Sequence, residues 1–195
     1  MAWPDKLLQQ FWDFLTGADG APLPTIITIS GEIDSENMIY QMVDTVGDGS
    51  GTYDMNTTAA SFFVVPPANK VYDLARINIY IADNGTFNEN TYGGASALSN
   101  GIQVTVENAA GVVKLLTPDP IKRTFEWGLQ SGVDVAWSDF AANNNVALVR
   151  WTFNKAGSPI HLDGSKGEFL RFNVRDSLAT LIRHKAQVQG IIHFA

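Results

Sequence analysis

Residues 76–81 read Arg-Ile-Asn-Ile-Tyr-Ile, and residues 102–107 read Ile-Gln-Val-Thr-Val-Glu. Side chains alternate sides along a strand, so this period of two marks strands with one buried face and one wet face. The same beat recurs outward in both directions. Ile27, Ile29 and Ile33 alternate with Thr28, Ser30, Glu32 and Asp34. Val149, Trp151 and Phe153 alternate with Arg150 and Thr152, and Leu170, Phe172 and Val174 with Arg171, Asn173 and Arg175. At the C-terminus Ala186, Val188, Ile192 and Phe194 are set against Lys185, Gln187, Gln189 and His193. Weaker strands are expected at 38–43, 61–65 and 112–116. Eight or nine half-buried strands, with no crossover helix between them, predict an all-β fold: an antiparallel β-sandwich or a barrel, not a parallel α/β sheet.

The first residues break this rhythm. Over residues 4–16 the period is 3.6, with Trp3, Leu7, Leu8, Phe11, Trp12, Phe14 and Leu15 on one half of the wheel and Asp5, Lys6, Gln9, Gln10, Asp13 and Thr16 on the other. Pro4 suits a first helical position and Gly17 a C-terminal cap. The expected organisation is an amphipathic helical arm at 1–17, a Pro/Gly linker at 18–24 and a β-sandwich at 25–195. A helix of about 13 residues is marginal alone in water, so its apolar face must be covered. Trp3, Leu7, Leu8, Phe11, Trp12 and Leu15 are therefore the candidate partner-binding residues. The competing expectation folds the helix back onto its own sandwich.

Composition narrows the chemistry. The 195 residues contain no cysteine, which excludes thiol catalysis, thiolate zinc and disulfides. Net charge is −7, a poor match to a phosphate backbone, so nucleic acid is not the expected partner. The charge is uneven: three Lys/Arg face twelve Asp/Glu in residues 1–100, against ten and eight in residues 101–195. No run of eighteen apolar residues predicts a membrane span, and the opening residues lack the basic start and apolar core of a secretory signal.

No catalytic pattern stands out. His161, His184 and His193 lack partners at triad or metal-pair spacing. Gly47-Asp48-Gly49-Ser50-Gly51 lacks the Lys-Ser/Thr of a phosphate loop, and Asp44, Asp48 and Asp54 match no EF-hand spacing, although acidic loops can hold calcium. The expectation is no enzyme, no metal and no cofactor. Trp127 and Trp137 fall in irregular stretches, where exposed indoles stack on sugar rings, so a carbohydrate-binding sandwich is the alternative reading.

Residues 168–190 read Glu-Phe-Leu-Arg-Phe-Asn-Val-Arg-Asp-Ser-Leu-Ala-Thr-Leu-Ile-Arg-His-Lys-Ala-Gln-Val-Gln-Gly. This resembles the closing strand, Asp-x-Leu-x-x-Leu turn and final strand of structural proteins in tailed-bacteriophage virions. Arg150-Trp151-Thr152-Phe153 and Pro159-Ile160-His161-Leu162 are similar to the same set. The resemblance covers the last third of the chain. It implies a jelly-roll-like domain made in the host cytoplasm and assembled into the virion as a decoration, cement or fibre-base protein. The partners it implies are the major capsid protein or other virion proteins and further copies of the chain, as a trimer. It brings no catalytic residues. Within the motif, Asp176 is expected to cap a turn by accepting from Leu178 or Ala179, with Leu178 and Leu181 plugging the end of the sandwich.

Overall fold

A computed structural model describes residues 37–84, 87, 90–93, 96–140 and 144–194, the side chains of 137–140, 144 and 154 excepted. The chain divides into a unit Met1–Glu36 and a unit Asn37–Ala195. The expected helix at 4–16, the linker at 18–24 and the strand at 25–34 lie outside the described residues.

Among the described residues ten strands follow one another: β1 Met38–Met42, β2 Ala60–Val64, β3 Lys70–Asp83, β4 Ile102–Asn108, β5 Gly111–Leu115, β6 Val133–Phe140, β7 Asn144–Thr152, β8 Ile160–Asp163, β9 Phe169–Val174 and β10 Arg183–Phe194. They form two sheets, one ordered β1-β10-β3-β7-β6 with β8 also paired to β3, the other ordered β2-β9-β4-β5. Every pairing among these strands is antiparallel. Helical structure among the described residues is confined to short 3₁₀ stretches, among them Thr124–Leu129, Phe153–Ala156 and Gly164–Lys166. The all-β, antiparallel expectation holds, and so do the three weaker strands.

The alternation does what it predicted. Ile77, Ile79 and Ile81 of β3 and Val188 of β10 face Val104, Leu170, Phe172 and Phe62 from the other sheet in one buried core. Each such side chain contributes about 1.5–3 kcal/mol on burial. β3 is longer than its alternating stretch because it contains a bulge. Gln189 pairs with Arg76 and Gly190 with Leu74, which leaves Ala75 as an extra residue. Tyr72 and Leu74 point inward before the bulge and Ile77 after it, so the inward parity shifts by one.

Two expected core residues differ. Phe153 is buried but opens a 3₁₀ turn rather than extending β7. Phe194 has the inward parity but is 80% exposed at the last position of β10, opposite Lys70. β6 and β8 were not anticipated. β6 carries apolar Ala136 on its outer side, and β8 has only four residues.

Candidate functional site

The candidate partner-binding residues Trp3, Leu7, Leu8, Phe11, Trp12 and Leu15 lie outside the described residues. Of the two candidate sugar platforms, Trp127 is corrected: its indole is fully buried, and Nε1 donates to the Tyr92 hydroxyl at 3.3 Å. It packs edge-on against Trp151, with ring centroids 6.1 Å apart. A stretch without periodicity had suggested an exposed ring, but a 3₁₀ turn can aim an indole inward as readily as outward. Trp137 lies on β6, and its side chain is outside the described set.

The acidic loop is spent on itself. Asp44 is fully buried and accepts from the backbone N–H groups of Val46 (3.0 Å), Gly51 (2.6 Å) and Gly47. Asp48 accepts from the Ser50 N–H and hydroxyl, bonds that hold its carboxyl below its ordinary pKa. Asp54 accepts from the His184 N–H and lies 3.5 Å from the Arg183 guanidinium. No group of three metal-ligating side chains occurs among the described residues.

The histidines play separate parts. His184 is buried beneath Tyr92, whose hydroxyl lies 2.6 Å from Nε2, and burial pushes the imidazole down to about 3. His161 and His193 both reach Asp73 at the surface, at 2.8 and 3.0 Å. Asp176 does not cap the turn as expected. It accepts instead from the N–H of Asn100 (2.9 Å), the Asn100 amide (3.2 Å) and the N–H of Gly101 (2.6 Å), tying the entry of β4 to the exit of β9. The expected plugs, Leu178 and Leu181, are buried.

Two surfaces remain with side chains the fold does not consume. The first is β5, the last strand of the four-stranded sheet. All five of its residues are exposed, with Val112, Val113 and Leu115 at 60, 51 and 43%. Both faces of this strand are therefore exposed, and among the described residues nothing pairs its second edge, a placement that suits pairing with another chain.

The second is the outward face of the six-stranded sheet. The registers put its side chains in rows: Tyr40, Gln189 and Arg76; Met42, Gln187, Asn78 and Arg150; Lys185, Tyr80 and Leu148. Directly opposed residues in such rows are about 5 Å apart. Together they line a shallow cavity of about 430 Å³. Neither Arg76 nor Arg150 enters an ion pair among the described residues, and the buried Arg76 Nε has no hydrogen-bond partner. Sequence reasoning identified Arg76, Asn78 and Tyr80 as outward positions, but not the neighbours that strand order gives them.

Comparison with known proteins returns no matching family model, no matching curated protein and no matching solved structure.

Proposed function

We propose that this chain is a non-enzymatic structural protein of a tailed-phage virion, a decoration, cement or head-fibre-base protein that binds capsid subunits and its own copies through protein–protein contacts. The observation that carries the reading is β5. Three apolar side chains on a solvent-exposed edge strand are costly in a monomer and useful in an assembly. Lys114, between Val113 and Leu115, disfavours indiscriminate edge pairing while leaving a specific partner possible.

The jelly-roll assignment belongs to the same proposal. Leaving aside β6 and β8, the strand orders β1-β10-β3-β7 and β2-β9-β4-β5 are those of two Greek keys wrapped into a double sheet. That architecture serves viral capsid and lectin domains alike, so it supports the reading without deciding it. The resemblance of residues 168–190 to phage structural proteins supports the virion side, and the Trp3–Leu15 arm supplies a second contact to the capsid protein.

The test uses the full chain and purified phage heads. Val113→Asp with Leu115→Asp is expected to leave thermal unfolding unchanged, to convert the trimer to monomer by light scattering, and to reduce co-sedimentation with heads. Removal of residues 1–17 is expected to weaken head binding while the sandwich stays folded. If wild-type protein neither oligomerises nor sediments with heads, the proposal fails.

A further inference from the structure

We propose that the outward face of the six-stranded sheet binds an acidic polysaccharide, a chain of uronate-type sugars lying diagonally across β1, β10, β3 and β7. This inference does not rest on the virion reading.

Charge comes first. Arg76, Arg150 and Lys185 line the cavity, and among the described residues no carboxylate does. The chain as a whole is −7, so a cationic groove without acid is a local arrangement and not a reflection of composition. Asp134, the acidic residue opposite Arg150 in the register, is paired with Lys155 at 2.7 Å, and the Arg150 charge is a lesser influence on it.

Availability comes second. On the outer face of the other sheet the arginines are held within the fold: Arg171 donates to Ser61 and to Glu107, and Arg175 to Gln103. Among the described residues Arg76 has no such acceptor, and its Nε is buried without a partner. A ligand carboxylate reaching the Arg76 guanidinium from the cavity can take its planar fork of donors.

The remaining side chains decide the class of anion. An acidic peptide needs only cations. This face also presents three planar amides, Asn78, Gln187 and Gln189, in adjoining positions beside Arg76 and Arg150. Each amide offers both donors and an acceptor, the combination that matches vicinal hydroxyls. Tyr40 and Tyr80 are 69% and 39% exposed, and apolar ring faces suit the C–H faces of sugars. Tyr40 and Tyr80 are separated by two strand spacings and four residues along the strand, a diagonal on the order of 17 Å. That span calls for an oligomer, not a single sugar.

Calorimetry on the full chain with a hexamer of galacturonate tests the proposal, with a neutral glucan hexamer and poly-glutamate as comparators. The uronate hexamer is expected to bind, more weakly as salt rises, and the other two are expected to bind at least about tenfold more weakly. Arg76→Gln and Arg150→Gln are each expected to cost about tenfold in affinity, and Tyr40→Ala about fivefold. Tyr40 is 69% exposed, so its variant keeps the fold and the result stays readable. No binding of the uronate hexamer at roughly millimolar concentration overturns the proposal. So does equal binding of poly-glutamate, which makes the face a docking site for acidic protein, or affinity unmoved by the three substitutions.

Discussion

The Tyr92 hydroxyl lies 2.6 Å from Nε2 of His184, and both side chains are sealed inside the sandwich. Trp127 donates its indole N–H to the same oxygen, so one phenol serves two buried polar groups. Tyr92 enters from the long connection between β3 and β4, and the contact pins that connection to β10. Burial raises the phenol's pKa, so it remains neutral and able to donate. Tyr92→Phe keeps the ring but leaves the imidazole nitrogen and the indole N–H without partners. The expected loss is about 1–3 kcal/mol in urea unfolding with an unchanged m-value.

His184 also makes stability depend on pH in a defined window. Burial depresses its folded-state pKa from 6.5 to about 3. Above the unfolded value the imidazole is neutral in both states and contributes nothing. As pH falls below 6.5 the unfolded chain takes up a proton that the folded chain refuses, so stability is lost, at a limiting slope of about 1.4 kcal/mol per pH unit. The carboxyl of Asp163, held down to about 2 mainly by Lys166, acts only at lower pH. Comparing wild type with His184→Phe between neutral pH and pH 5 therefore isolates the imidazole. The variant is expected to be less stable at neutral pH and to lack this part of the acid sensitivity. Parallel pH profiles contradict the assignment.

How far such features can be read from sequence depends on whether the neighbours are local. The sandwich was legible because Ile102, Val104 and Val106, like Leu170, Phe172 and Val174, repeat every second residue on unbulged strands. Lys70 to Ala75 escaped notice because the bulge at Ala75 shifts the parity of Tyr72 and Leu74 against Ile77. His184 falls in phase with Ala186 and Val188, but the hydroxyl that accommodates it is 92 positions away, beyond the reach of any spacing rule. The cationic face was half visible. Arg76, Asn78 and Tyr80 are outward in any register, but alternation says nothing of which strands flank β3, and so nothing of Gln187, Gln189 or Arg150.

The bulge makes its own prediction at Gly190. A Cβ there meets the Asp73 carbonyl oxygen at 2.1 Å and the Leu74 Cα at 2.8 Å, both of them backbone atoms. Neither can step aside without separating β3 from β10, the central pair of the larger sheet. Gly190→Ala is expected to destabilise by about 2 kcal/mol or more, at the upper end for overpacking. Gly111→Ala has open space around its Cβ, and its cost comes only from a φ of +120°. Thermal melts of the two variants separate backbone collision from backbone strain, with Gly190→Ala expected to show the additional loss of hydrogen-exchange protection along β10.

Asp44 decides whether the acidic loop is a metal site or a self-contained turn. Its two oxygens accept from three N–H groups, those of Val46, Gly47 and Gly51, inside a fully buried environment. A cation entering there must displace bonds that already satisfy the carboxylate, and the neighbouring Asp48 is likewise committed to Ser50. Calcium at millimolar concentration is therefore expected to leave the melting temperature unmoved. Asp44→Asn retains one acceptor oxygen and places an NH₂ group where backbone donors already point. Its expected cost is about 1–3 kcal/mol, with faster exchange at the amides of Gly47 and Gly51. A calcium-dependent rise in melting temperature that Asp44→Asn abolishes shows the opposite: the loop opens to bind metal, and its internal bonds are the ones that give way.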